Sequence, residues 1–196
     1  MPRAGHRDGE VYSIHHKMLG CAFLNRKLPV PPQKPLECPP DSDARVIAIP
    51  AKADFPSSQE NMKSLRVACA IIEQNGKVLA AQRSERMSLP LKWEFPGGKI
   101  NEEESASECL KREVLEELGI EVMIHEPYPE VTYSYPAFMV TLYPSRCTIS
   151  AGEIVLHEHK AVAWMLPEEL CGLDWADADW PIINTYLERH RKTSGL

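Results

Sequence analysis

Hydrophobic and polar positions alternate in two different ways along the second part of the chain. Two β-rich runs, LRVACAII from Leu65 and KVLAAQR, are joined at Gln74-Asn75-Gly76, and Asn-Gly is a strong β-hairpin signal. Four more β-rich runs, EVMI, VTYSY, FMVTLYPSRCTI and AVAWM, come after a helical segment. The last segment, DWPIINTYLERHRK, predicts an amphipathic helix with one apolar side, made of Ile182, Ile183, Tyr186 and Leu187. Strands alternating with two helices predict an α+β layered fold.

The helical segment between these runs has clear start and stop signals. Ser105 is a plausible N-cap, and Glu108 three residues later completes a capping box. Gly119 lies where a left-handed C-terminal cap is expected. The spacing i, i+4, i+8 predicts an apolar stripe that packs on a core, formed by Leu110, Val114 and Leu118.

Three glutamates, Glu113, Glu116 and Glu117, share one face of this helix at the spacing i, i+3, i+4. An isolated pair of glutamates would be interpreted as a solvated acidic face. Here the carboxylates lie beside the apolar stripe and follow a glycine pair, Gly97-Gly98. Clustered hard oxygen ligands suit Mg²⁺ or Mn²⁺, so we predict a metal site.

The whole stretch resembles the Nudix box, Gly-x5-Glu-x7-Arg-Glu-U-x-Glu-Glu-x-Gly-U, in which U is a bulky aliphatic residue. Every fixed position is matched, by Gly98, Glu104, Arg112, Glu113, Val114, Glu116, Glu117, Gly119 and Ile120. The preceding phrase WEFPGGK resembles the MutT-like branch of the family. The resemblance spans about Val67 to Leu187. It implies an α/β/α sandwich around a mixed β-sheet, and metal-dependent hydrolysis of nucleoside diphosphates linked to another moiety.

The resemblance also implies roles for residues of the box. Glu113, Glu116, Glu117 and the carbonyl of Gly97 would bind the metal. Arg112 would be a structural partner of the acidic loop. Glu104 would be a carboxylate that is buried or that supports the metal ligands.

Residues outside the helix have further implied roles, each with an ordinary alternative. Arg83 would contact the substrate phosphates, or it is an exposed charge at a strand end. Lys99 would orient phosphate or water. Glu94 would be a carboxylate on the substrate side, or a strand residue that faces solvent. Glu158, six residues before Trp164, would bind metal and act as a base, although Glu113 could also be the base.

Two histidines, His157 and His159, flank Glu158. A lone His-Glu-His without a further ligand is a weak zinc signal, so we interpret both histidines as ordinary residues of an exposed loop.

Asp179 matches the position at which MutT-like enzymes read the edge of the base, but an Asp before Trp-Pro is also an ordinary helix N-cap. An ionised Asp only accepts hydrogen bonds, whereas Asn donates and accepts. Candidate stacking residues are aromatic, although such residues are usually core in a small domain: Trp93, Trp164, Trp175 and Tyr143.

Composition limits the alternatives. The 196 residues carry a net charge of −6, which disfavours a nucleic-acid polymer as partner. No apolar run reaches membrane-spanning length, and the six scattered cysteines contain no CxxC pair, so we expect a reducing, cytoplasmic location. Residues 1–61 hold nine of the 17 prolines and show no periodicity. We expect a mostly disordered extension there and a Nudix hydrolase domain over 62–196.

The sequence therefore predicts a Mg²⁺-dependent enzyme, with Mn²⁺ as a possible substitute, that hydrolyses nucleoside triphosphates to the monophosphate and pyrophosphate. An oxidised nucleotide such as 8-oxo-dGTP, or a cytidine nucleotide, is the foremost expected substrate. A monomer or weak homodimer is expected. The alternative is a non-catalytic nucleotide sensor or interaction domain, which would usually have lost glutamates of the box.

Overall fold

A computed structural model describes residues 10–13 and 63–193. In chain order its strands are β1 Glu10–Ser13, β2 Lys63–Gln74, β3 Lys77–Gln82, β4 Trp93–Glu94, β5 Gly97–Lys99, β6 Ile120–Pro127, β7 Val131–Ser134, β8 Phe138–Gly152 and β9 Ala161–Met165. Its helices are α1 Ala106–Leu118 and α2 Trp180–Thr193, and two short 3₁₀ helices span Pro167–Gly172 and Asp177–Asp179. The two predicted helices and the predicted strands are therefore confirmed.

The described strands form one mixed sheet. Its main order is β1-β9-β3-β2-β8-β6, with β4 paired to β3, β5 to β2 and β7 to β8. Strands β2 and β8 run parallel, with Leu65 opposite Val140 and Ile71 opposite Arg146. The hairpin between β2 and β3 is confirmed: Asn75 and Gly76 have φ of 51° and 74°, which is the left-handed pair that a tight two-residue turn requires.

Two hydrophobic cores lie on opposite faces of the sheet, because alternate residues of a strand point to opposite sides. Cys69 and Ile71 of β2 pack in one core with Ile182 and Ile183 of α2. Their neighbours Ala68, Ala70 and Ile72 pack in the other core with Leu110 and Val114 of α1. The sheet is thus covered by one helix on each side, which confirms the α/β/α sandwich.

The N-terminal part of the chain enters this picture at one place. Strand β1 pairs antiparallel with β9, with Glu10 opposite Trp164 and Ser13 opposite Ala161. The rest of the extension predicted over 1–61 lies outside the described residues. Neither α1 nor α2 combines the length and the apolar character needed to cross a membrane, and no other helix of the described residues does so.

Three cysteines in the sheet and in α1 are buried and free: Cys69, Cys109 and Cys147. Cys171, in the first 3₁₀ helix, is disulfide-bonded.

Candidate active site

Helix α1 begins and ends as its sequence predicts. The Ser105 hydroxyl accepts a hydrogen bond from the Glu108 N–H at 3.2 Å, and the Glu108 carboxylate accepts from the Ser105 N–H at 2.9 Å. Gly119 has φ of 67° and donates its N–H to the Leu115 carbonyl at 2.9 Å. These caps fix where each glutamate of the helix lies around its axis.

The glycine pair before the helix allows two close approaches. Gly97 has φ of 150°, and a Cβ there would lie 2.1 Å from the Ala68 carbonyl oxygen. A Cβ on Gly98 would lie 2.1 Å from the carboxyl carbon of Glu113. Both distances are far below van der Waals contact, so glycine is required for β5 to lie against β2 and for the Glu113 carboxylate to lie against the backbone.

Arg112 gathers three carboxylates that we call the outer carboxylates, Glu104, Glu113 and Glu116. Its Nε donates to Glu104 Oε1 at 2.8 Å, and its Nη1 donates to Glu113 Oε1 at 2.8 Å and to Glu116 Oε2 at 3.2 Å. The hydrogen bond from Arg112, followed by that from the Asn101 N–H, lowers the pKa of Glu104 to about 2. The implied role of Arg112 as partner of the acidic loop is observed, and its contact with Glu104 stabilises the charged form of that carboxylate.

A second group, the inner carboxylates Glu94, Glu117 and Asp179, lies away from solvent. Glu117 is on the same helix as Glu113 but is buried, and its Oε2 accepts from the Gly97 N–H at 3.3 Å. Burial raises the pKa of Glu117 to about 7; the nearby His159 opposes this shift, and the charges of Glu94 and Glu113 add to it. Glu117 is therefore a carboxylate whose negative charge is incompletely compensated by its surroundings.

Glu94 contacts two side chains that are far apart in the sequence, Arg83 and His159. One of its oxygens forms an ion pair with Arg83 Nη1, and the other lies 3.1 Å from His159 Nε2. The side chains of Arg83 and Glu94 are only 15% and 16% exposed. The alternatives of an exposed strand-end arginine and a solvent-facing glutamate are thus wrong.

His159 is the residue whose position the sequence does not anticipate. Its imidazole is buried, with Nδ1 4.0 Å from Glu117 Oε2. Burial lowers the pKa of His159, but the hydrogen bond with Glu94 and the charge of Glu117 outweigh it and leave the pKa raised. The interpretation as an ordinary loop residue holds for the exposed His157 and is wrong for His159. Alternation along β9 was the missed signal, since Ala161 and Ala163 are both buried in one core and His159 continues that series.

Asp179 is the third inner carboxylate and comes from the C-terminal part of the chain. It lies in the second 3₁₀ helix, directly before α2, and its Oδ1 accepts from the Phe95 N–H at 3.1 Å. Burial, and then the charge of Glu94, raises its pKa well above the ordinary value. The observed contact of this carboxylate is with the chain beside Glu94, which places Asp179 next to the other inner carboxylates.

The remaining predicted residues lie at the surface or in the core. Lys99 is exposed on β5, and Glu158 is exposed in the loop before β9. Trp93 and Trp175 belong to the core on the α2 side. Trp164 packs beside the core on the α1 side, and Tyr143 lies under the guanidinium of Arg66.

The carboxylate oxygens of the site are the kind of ligand that a hard divalent cation prefers, although the described side chains do not point toward one common position. Among residues 63–193, no three His, Cys, Asp or Glu side chains are arranged to hold a metal ion. Glu113 and Glu116 instead contact Arg112, and Glu117 contacts the Gly97 N–H. Glu117 lies buried near the charges of Glu94 and Glu113, so a bound cation would offset negative charge at this place.

A separate groove lies elsewhere on the molecule. It has a volume of about 820 Å³ and is bounded by the Glu73–Gly76 turn and the end of α2. None of the predicted site residues lines it, so the candidate active site is identified by its chemistry rather than by the size of a cavity.

Comparisons with known proteins place the sequence and the fold among known families. The NUDIX domain family profile matches residues 62–186. The chain is 36% identical over 126 residues to the CTP pyrophosphohydrolase of Escherichia coli, covering 64% of this chain and 93% of that protein. It is 30% identical over 123 residues to the 8-oxo-dGTP diphosphatase of Escherichia coli, covering 62% and 95%. The crystal structure of a MutT protein from Methanosarcina mazei superposes with a TM-score of 0.61 at 25% identity, covering 67% and 97%.

Proposed function

Because the chain belongs to the NUDIX family of hydrolases, we propose that it hydrolyses a nucleoside triphosphate to the monophosphate and pyrophosphate. The observation that carries this proposal is the complete acidic face of α1. All three of its glutamates are retained, and Gly98 leaves space for the carboxylate of Glu113. A domain that only binds nucleotide would not need this set of ligands.

Members of this family generally use divalent metal ions, and we propose Mg²⁺ here, with Mn²⁺ as a substitute. Glu113, Glu116 and Glu117 would hold it, with the Gly97 carbonyl and Glu158 as further ligands. When bound, the metal would neutralise phosphate charge and lower the pKa of a water molecule. Hard carboxylate oxygens and the incompletely compensated charge of Glu117 support this choice of ion.

The chain's own residues would orient the phosphates and remove the proton from the attacking water. Lys99 is exposed directly after the glycine pair, where its ammonium can reach an anion. Arg83 is held by Glu94 beside Ser88, whose hydroxyl accepts from Arg83 Nη2 at 2.9 Å. Glu113 and Glu158 are both retained as candidates for the base: Glu113 accepts from Arg112, and Glu158 is solvent-exposed.

The base of the nucleotide would be read by the inner carboxylates. A raised pKa favours the neutral form of Asp179, and a neutral carboxyl can donate as well as accept, as an amide does. This donor and acceptor pattern suits 8-oxo-dGTP or a cytidine nucleotide, the substrate classes named for the two Escherichia coli relatives.

A panel of nucleotides tests the proposal directly. The full-length protein with Mg²⁺ should release pyrophosphate, and not orthophosphate, from 8-oxo-dGTP, dGTP, CTP and dCTP at different rates. EDTA should abolish the release. Tight nucleotide binding with no turnover at any metal concentration would instead favour the sensor function.

We further propose that residues 62–196 suffice for this activity and that the enzyme is a cytoplasmic monomer or weak homodimer. The family match begins at residue 62, whereas strand β1 adds to the edge of a sheet that is otherwise complete. A truncated protein starting at Met62 should keep its fold and turnover. Three free buried thiols fit a reducing compartment, while the Cys171 disulfide is the observation against it. Thiol counting on protein taken directly from cells would decide between them.

A further inference from the structure

His159 occupies an enclosed position between the two ends of the inner site. Its side chain is 0% exposed. Nε2 lies 3.1 Å from Glu94 Oε1, so one ring nitrogen is paired. Nδ1 lies 4.0 Å from Glu117 Oε2 and is the buried side-chain polar atom without a hydrogen-bond partner in the described part of the chain. A buried polar atom in this state calls for an explanation.

The ring connects two residues with different proposed duties. Through Glu94 it reaches Arg83, on the side of the substrate. Through Glu117 it reaches the Gly97 N–H, on the side of the metal. The imidazole is therefore the middle of one continuous series of contacts from Arg83 to Gly97.

Backbone hydrogen bonds on both sides of His159 hold its loop in place, which restricts movement of the imidazole ring. The His157 N–H donates to the carbonyl of Glu117 at 3.0 Å, which ties the loop to the end of α1. The Lys160 N–H donates to the carbonyl of Gln82 at 2.8 Å, which ties the loop to β3. A rigid ring in this place can set the direction of both carboxylates.

We propose that His159 is a positioning residue that orients the Glu117 carboxylate for the metal with Nδ1 and the Glu94 carboxylate for the substrate with Nε2. The inference rests on the proposed role of Glu117 as a metal ligand. Carboxylates that bind metals are themselves hydrogen-bonded by outer residues, and loss of such a partner typically lowers metal affinity or activity by about 10- to 100-fold. Nδ1 is in place to be that partner.

Two substitutions separate the two halves of the ring. An asparagine amide extends about as far as Nδ1, and a glutamine amide about as far as Nε2. His159→Gln should therefore keep the contact with Glu94 and lose the contact with Glu117. His159→Asn should do the reverse. His157→Asn, in the same loop but exposed, is the matched control.

The first measurement is Mn²⁺ binding to the full-length protein without nucleotide, followed by electron paramagnetic resonance. His159→Gln should weaken Mn²⁺ affinity by about 10- to 100-fold, while His159→Asn and His157→Asn should bind Mn²⁺ like the wild type. In steady-state kinetics at saturating Mg²⁺, His159→Asn should mainly raise KM for the nucleotide. The melting temperature of each variant is measured alongside.

The proposal is overturned if both His159 variants retain wild-type Mn²⁺ affinity, or if both lose it equally in proportion to a fall in Tm. If neither variant folds, the unmodified protein provides the test: the ring ¹⁵N signal of His159 Nδ1 should shift on Mg²⁺ addition, and an unchanged signal counts against the proposal. A wild-type protein that binds Mn²⁺, shows the split between the variants and yet hydrolyses no nucleotide would refute the proposed function alone.

Discussion

The outer and inner carboxylates are chemically identical groups in two opposite settings. Arg112 contacts all three outer carboxylates, Glu104, Glu113 and Glu116, at distances of 2.8 to 3.2 Å. Of the inner carboxylates, Glu94 contacts Arg83 and His159, while Glu117 and Asp179 are buried. The pKa of Glu104 is lowered to about 2, whereas that of Glu117 is raised to about 7. In the outer group, Arg112 thus stabilises the charged form of Glu104, whereas in the inner group burial favours the neutral forms of Glu117 and Asp179.

Glu117 shows why this difference suits the proposed chemistry. It follows Glu116 directly on α1, yet Glu116 is 58% exposed and Glu117 is buried. A turn of about 100° around the helix axis separates the two side chains, and this turn moves a carboxylate from solvent to the interior. The helix therefore places one carboxylate in solvent and the next in the interior, and the proposed function uses both as metal ligands.

The largest effect is expected from breaking the outer group. Glu116→Gln should lower kcat by about 100-fold or more, because removal of a direct ligand should cost at least as much as the loss of an outer partner. Its stability should change by less than about 1 kcal/mol, since an exposed ion pair contributes little. Turnover and thermal melting measure the two quantities.

Glu121→Gln, an exposed glutamate on β6, is the control for loss of one negative charge. Wild-type turnover of Glu116→Gln at saturating Mg²⁺ would remove Glu116 from the set of metal ligands.

The space beside Glu113 gives a second way to break the outer group. A Cβ on Gly98 would lie 2.1 Å from the carboxyl carbon of Glu113, so Gly98→Ala must push this carboxylate aside. The flexible side chain can move, and the fold should survive. We expect Mg²⁺ affinity to fall by about 10- to 100-fold, the usual effect of losing a group that positions a metal ligand. The measurement is the Mg²⁺ concentration that gives half-maximal turnover.

Gly172→Ala is matched to this change, because a Cβ on Gly172 meets no atom within 4 Å. If both alanine variants behave alike, the close approach of Gly98 to Glu113 has no part in the reaction.

The two groups also differ in how far the sequence predicts them. The outer group depends on local spacing: caps at Ser105 and Gly119 and the periodicity of α1 place Glu113 and Glu116 without any tertiary information. The fold was predictable for the same reason, since strand alternation and two amphipathic helices determine which faces are buried.

The inner group depends on contacts between distant segments. Glu94 and His159 are 65 positions apart, and Phe95 and Asp179 are 84 positions apart. The sequence alone does not distinguish a buried site residue of this kind from an ordinary surface residue. His157 is exposed and His159, two positions later, is buried. Burial and pairing, which decide the pKa of Glu117 and Asp179, arise only when the strands are assembled.

Base preference tests whether the inner group reads the substrate. Asp179→Ala removes the acceptor for the Phe95 N–H and any contact with the base. An unpaired buried polar group costs about 1–3 kcal/mol, so the ratio of kcat/KM values between preferred and rejected bases should fall by about 10-fold or more. Asp179→Asn keeps an acceptor for Phe95 and a donor for the base, and it should preserve most of the preference.

Metal dependence should be unchanged in both Asp179 variants, which separates this effect from the outer group. If neither variant alters base preference and only Asp179→Ala lowers Tm, Asp179 has a structural role at the start of α2.

The smallest expected effect is a pH dependence of stability that comes from the buried Asp179 carboxyl. The folded protein raises the pKa of Asp179 above its ordinary value of 3.8, so folding favours the neutral carboxyl. The corresponding stability is fully present below about pH 4 and is lost as the pH rises toward the folded pKa, by up to about 1.4 kcal/mol per pH unit. Asp179→Asn carries an amide that does not ionise and lacks this loss. The Tm of Asp179→Asn minus the Tm of the wild type should therefore grow by a few degrees between pH 4 and neutral pH, with metal chelated.

Asp177→Asn, an exposed neighbour in the same 3₁₀ helix, should show a constant difference. A constant difference for Asp179→Asn as well would mean that this carboxyl ionises as readily in the folded chain as in the unfolded one, and that its proposed role as a hydrogen-bond donor to the base is wrong.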